Sequence, residues 1–118
     1  MPGPLAFPRH ERLTRKVEYE AVFQHGRNRV GAAFICYVVR RDGQGRKFGF
    51  AVSRKVGSAV VRNRVKRYLR EFYRTHRAQI DDNAHVVVVA RPSAAKLNHE
   101  QCFKATERLL GEGEVYRG

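Results

Sequence analysis

Residues 47–90 read KFGFAVSRKVGSAVVRNRVKRYLREFYRTHRAQIDDNAHVVVVA, and the two ends of this stretch frame its middle. Residues 47–53 (KFGFAVS) have the composition of a strand. Residues 85–90 (HVVVVA) form a short continuous apolar run, the pattern of a strand buried on both faces. Between them, residues 54–77 hold nine Lys or Arg and a single acid, Glu71. At about 100° per residue, Val61, Val65, Tyr68, Leu69 and Phe72 gather on one side of a helix. Arg62, Lys66, Arg70, Arg67 and Arg74 fan across the opposite side, with Asn63 among them and Arg64 on the flank. Gly57 and Ser58 open this helix, Ser58 as its N-cap, and Asp81-Asp82-Asn83 supplies the turn after it. If the two strands run parallel, the helix is their crossover.

The cations at 62, 66, 70 and 74 repeat at i, i+4, where like charges each cost a few tenths of a kcal/mol in an isolated helix. A merely solvated face intersperses both signs; this one does not, which favours a bound polyanion. Composition agrees. A chain of 118 residues, 42% hydrophobic, suits one domain with a modest core, yet it carries a net charge of +13. Residues 1–77 hold nineteen basic and five acidic side chains, and residues 78–118 hold five and six. The excess therefore lies wholly in the first two-thirds, as a binding face would place it. Arg outnumbers Lys eighteen to six, a ratio that decides little by itself.

Upstream, Pro2, Gly3, Pro4 and Pro8 predict a flexible arm over residues 1–10, with residues 11–118 as the single domain. A helix is predicted over residues 15–25, with Thr14 as N-cap and Gly26 just past its end. Residues 32–40 (AAFICYVVR) read as a strand with Phe34, Cys36 and Val38 on one face and Ile35, Tyr37 and Val39 on the other. Both faces are apolar, so either both are covered or one awaits a ligand. Asp42-Gly43-Gln44-Gly45 is a hairpin signal that would return residues 47–53 as an antiparallel partner. Near the C-terminus, Asn98 with Gln101 forms a capping box for a last helix stopped by Gly111. The order α-β-β-α-β-α gives an α+β fold, one sheet with helices packed on it. Cys36 and Cys102 read as buried, reduced thiols, hence a reducing cytoplasm. Neither a secretory signal nor a membrane-length apolar stretch is visible.

Two surfaces emerge from the residues. The cationic helix offers guanidinium forks for phosphates, with Asn63 able to reach a base edge or a 2′-hydroxyl. Arg64, on the flank, is equally suited to a surface contact with Glu71 or Tyr68. The second surface is aromatic: Tyr19 and Phe23 lie one turn apart, and Tyr37 projects from the strand. These rings are either stacking platforms for unpaired bases or ordinary core. Catalytic signals are thin. None of the five histidines shows a paired spacing with acids in the sequence, His99 and Cys102 lack further ligands for zinc, and there is no phosphate loop or nucleophile motif.

At Arg62-Asn63-Arg64-x-Lys66-Arg67, entered through Phe48-Gly49-x-x-Val52-Ser53-Arg54-Lys55-x-Gly57-x-Ala59-Val60, the chain resembles the protein subunits of bacterial ribonuclease P. Arg54 stands where that family more often has Lys, which keeps the charge. The likeness extends over nearly the whole chain, through the HG after the first helix, the F-x-x-Y of the first strand and the Ala90-Arg91-Pro92 after the last. It implies an α-β sandwich like the second domain of ribosomal protein S5, with a four-stranded sheet. The extra strand would fall near residues 27–30 or in the first half of AAFICYVVR. It also implies a left-handed βαβ crossover, against the usual rule.

By the same resemblance, Arg54, Lys55, Arg62, Asn63, Arg64, Lys66, Arg67 and Arg70 would dock a catalytic RNA subunit. Phe23 and Tyr37, with Tyr19 left open between groove and core, would line a groove for the 5′ leader of precursor tRNA, with Arg15 as a backbone contact. The RNA would supply the active site and its Mg²⁺, leaving the protein without catalytic residues or a metal of its own and inactive alone. A ribosomal or general RNA-binding protein is the main alternative; it would need no single-strand groove. A DNA-binding helix-turn-helix would need a helix directly before the basic one, where residues 48–53 read as a strand.

Overall fold

The valine run becomes the centre of the sheet. In the computed structural model, which describes residues 7–117, β4 (Ala84–Ala90) lies between β2 (Phe34–Arg40) and β3 (Lys47–Ala51), with β1 (Arg27–Val30) outside β2, giving the order β1-β2-β4-β3. β2 pairs antiparallel with β4 from Phe34–Ala90 to Arg40–Ala84, and β3 pairs parallel with it from Lys47–His85 to Ala51–Val89. α2 (Ala59–His76) is thus the connection between two parallel neighbours.

Period-two alternation divides the sheet into two faces. Phe34, Cys36 and Val38, with Phe48, Val86 and Val88, join the main core against Val65, Leu69, Phe72 and Tyr73 of α2 and Cys102, Leu109 and Leu110 of α3 (His99–Glu112). On the other face, Val87 packs with Leu13 and with Val22 of α1 (Lys16–His25), while Tyr19, Tyr37, Val39 and Val89 stay half-buried around them. Helices therefore cover both faces, two on one side and a single short one on the other.

Several expectations need correction. The turn at residues 42–45 does not close a hairpin. Gly43 and Gly45 do adopt positive φ (80° and 76°), and β3 does run opposite to β2, but β4 is inserted between them. An apolar run such as Val86–Val89 loses least when neighbours flank both its edges, so the last strand takes the middle. The fourth strand is Arg27–Val30, the first of the two placements expected for it, whereas β2 starts at Phe34 rather than at residue 32. Arg15, not Thr14, holds the N-cap of α1. The Glu18 carboxylate accepts from the backbone N–H groups of Thr14 (3.1 Å) and Arg15 (2.9 Å), leaving the threonine hydroxyl with little to do. The capping box of α3 forms as read, but the helix continues through Gly111 to Glu112. Cys36 and Cys102 are free and buried, and burial pushes both thiols up to about 12.

Of the arm expected over residues 1–10, residues 1–6 lie outside the described residues; residues 7–10 are anchored. The Phe7 ring packs 4.6 Å from that of Tyr73, and Leu13 N–H donates to the Phe48 carbonyl on the free edge of β3. Beneath them the buried Glu11 carboxylate accepts from the Tyr73 hydroxyl at 2.5 Å and from both Nε and Nη2 of Arg77. Burial alone would raise this carboxyl's pKa; the Arg77 and Tyr73 hydrogen bonds more than offset it, and the value lies below the ordinary one. A depressed folded-state pKa contributes stability above the unfolded-state value and loses it as pH falls through the folded one. Glu11→Gln is expected to lower stability by about 2 kcal/mol at neutral pH and to flatten the acid side of a melting-temperature profile. A variant whose acid limb parallels the parent's would refute the latch.

Candidate nucleic-acid interface

The cationic surface starts at the approach to α2. After β3 the chain makes one 3-10 turn, Arg54–Val56, in which the Ser53 hydroxyl accepts from the Lys55 N–H and both cations are exposed. Gly57 then redirects the chain at φ 153°, where a Cβ would meet Val61 at 3.2 Å. Ser58 caps α2 as expected, accepting from the Val61 N–H.

Around α2 the cations are not equivalent. Tyr73 joins the buried stripe and widens it toward Arg62 and Lys66, so both are half-buried on its shoulder rather than opposite it. Arg62 Nε donates to the Gly57 carbonyl at 3.2 Å. Arg64 meets neither Glu71 nor Tyr68; its Nη2 donates to the Ala95 carbonyl at 2.8 Å, while Glu71 pairs with His99. Arg67 lies over the Tyr68 ring at 5.6 Å. Asn63, Arg67 and Arg70 are exposed and, with Val60 and Arg64, surround a shallow basin of about 590 Å³. None of Arg54, Lys55, Arg62, Arg64, Lys66, Arg67, Arg70 and Arg74 forms a salt bridge among the described residues, because the acids nearby are engaged elsewhere.

The aromatic surface also assembles. Phe23 and Tyr37 meet edge to face with centroids 4.8 Å apart, and Tyr19 stands 6.5 Å from Phe23. Phe23 is 40% exposed, and Tyr37 and Tyr19 are half-buried. Tyr19 leans on β3 because residue 49 is glycine: a Cβ there would sit 2.6 Å from the tyrosine oxygen. Burial at that seat raises the phenol's pKa. Arg15 is exposed at the start of α1.

Register adds residues that motif reading missed. Val30, Ile35, Val89 and Ala51 are partners across all four strands, on the same face as Tyr37. None of the four is fully buried, and Val30 is 59% exposed. Beside the rings, α1 leaves an open apolar row crossing the sheet. Strand alternation could have flagged Ile35 and Val89; only the pairing aligns all four. Arg70 joins the two surfaces, since it borders the basin on α2 and also a cleft of about 410 Å³ shared with Leu13, Thr14, Tyr19 and Phe50. Among the described residues no group of three or more His, Cys, Asp or Glu is placed to hold a metal.

A cationic helix and an open aromatic sheet face joined at one arginine suit a folded RNA with a single-stranded extension. The family model for ribonuclease P matches residues 7–114, nearly the whole chain. The chain belongs to the ribonuclease P protein family. It is 44% identical over 104 residues to the ribonuclease P protein component of Desulfovibrio desulfuricans, covering 86% of this chain and 80% of that one. With its counterpart from Exiguobacterium sibiricum it shares 33% identity over 107 residues, 90% of this chain and 92% of the relative. The solved structure of the Staphylococcus aureus RNase P protein superposes with a TM-score of 0.83 at 25% identity, covering 90% of this chain and 97% of that one. In this ribonuclease P protein, then, the four-stranded sheet and three helices are those of its family.

Proposed function

We propose that this chain is the protein subunit of a ribonuclease P ribonucleoprotein, docking the catalytic RNA on α2 and its approach and holding the 5′ leader of precursor tRNA on the aromatic sheet face. The observation that supports this reading is Arg70, which borders both the basin on α2 and the cleft beside Tyr19. On the docking side, Arg54, Lys55, Asn63, Arg67 and Arg70 present free donors to phosphates. Arg62 and Arg64, each already donating to a backbone carbonyl, and the half-buried Lys66 flank this face. On the leader side, Phe23, Tyr37 and the apolar row offer stacking surfaces without base-edge readout, suiting leaders of varied sequence. Tyr19 forms the wall, and Arg15 lies at the start of the same helix.

The protein's contribution is positional and electrostatic. In this reading Mg²⁺, and the Lewis-acid chemistry it supplies, belong to the RNA subunit, as the likeness to the family implies. The chain's own cations add positive charge where two RNAs meet, which lessens the divalent-ion requirement of the pair. A ribosomal or general RNA-binding role would leave the open apolar row unexplained.

Cleavage of precursor tRNA at low Mg²⁺, with the RNA subunit alone, this protein alone and both together, tests the reading. The expected result is activity only in the combined reaction. Leader removal by the protein alone, or an RNA reaction that the protein does not improve, would overturn it.

A further inference from the structure

The apolar row does not end at the sheet edge. Val30, its outermost member, also borders a cavity of about 490 Å³ on the far side of the β1–β2 turn. This hollow lies between that turn and α3. Its floor is apolar, with Phe34, Leu97, Ala105 and Leu109, and Arg91 and Arg108 stand at its rim. Arg91 Nη1 already donates to the Gly31 carbonyl, which fixes the guanidinium beside the opening and leaves its other N–H groups available. Arg108 is highly exposed and pairs with Glu112, one turn along its own helix and also bordering the cavity.

We propose that this cavity is a nucleotide subsite, taking an unpaired leader nucleotide beyond those lying on the apolar row. The inference rests on the reading of that row as the leader path. Three features select a nucleotide as occupant. Val30 belongs to the row and also borders the cavity, so a strand that rounds the β1–β2 turn passes from one to the other. An apolar floor beneath cationic groups matches a base attached to a phosphate. The volume, finally, accommodates a base and its sugar, within the size range of ordinary small-molecule sites.

The test uses the holoenzyme and precursor tRNAs whose leaders are lengthened one nucleotide at a time. Two variants are compared with the parent: Ala105→Trp, which fills the hollow, and Arg108→Ala, an exposed change that spares the fold. For the parent, affinity is expected to rise with leader length in two stages, the row first and the cavity second. Both variants should keep the first stage and lose about tenfold at the second. An unaltered second stage in both variants overturns the subsite while leaving the row intact. A parent whose affinity ignores leader length altogether overturns the leader-path reading itself. Arg108→Ala decides the matter should Ala105→Trp disturb α3.

Discussion

Replacing both Arg67 and Arg70 with alanine is expected to weaken association with the ribonuclease P RNA by about a hundredfold at moderate salt. Each side chain is exposed and makes no salt bridge among the described residues, so the N–H groups of each guanidinium remain available, although Arg67 also lies over the Tyr68 ring. A charge-assisted hydrogen bond contributes about 1.5–3 kcal/mol, and two of them give at least that factor. The slope of log affinity against log salt should fall by roughly two units, one for each phosphate released. Arg62→Ala is a weaker test, because its Nε already serves the Gly57 carbonyl and the turn into α2 changes with it. A double variant with an undiminished salt slope would remove the phosphate contacts from this face.

Phe23→Ala combined with Tyr37→Ala carries the second large effect. Affinity of the holoenzyme for precursor tRNA should drop by about a hundredfold, with mature tRNA nearly unaffected, since stacking contributes about 1–3 kcal/mol per base. The rings also meet edge to face, a contact of about 0.5–1.5 kcal/mol within the protein, so some loss of thermal stability accompanies the change. Mature tRNA separates the two contributions: a fold defect lowers both substrates together, a leader defect only one. Equal losses would return Phe23 and Tyr37 to the core.

Much of this was legible because side-chain period and local chemistry agree. Ser58, Asn98 and Gln101 cap the helices that their spacing announces, and the alternation from Phe34 to Val39 sorts the two sheet faces correctly. What could not be read was anything decided by a partner distant in sequence. The glycine turn at residues 42–45 looks the same whether its strands touch or stand one strand apart, and only β4 settles that. Arg64 finds a carbonyl 31 residues away. Tyr73, at the margin of the helical stripe, is buried because Glu11 accepts from its hydroxyl 62 residues upstream. The aromatic groove needed both kinds of information: Phe23 and Tyr37 are visible as residues, but Gly49 and the cross-strand row acquire meaning only from register.

The position of β4 has a consequence for how the molecule is made. The strand to which both β2 and β3 bond is the last of the four to be synthesised, so until residue 90 leaves the ribosome the nascent chain holds only the small β1–β2 pair, and an isolated two-stranded ribbon has marginal stability. α2 emerges earlier and must wait without a floor. Docking of α2 and closing of the sheet are therefore expected to occur together, once β4 supplies the strand that both neighbours bond to.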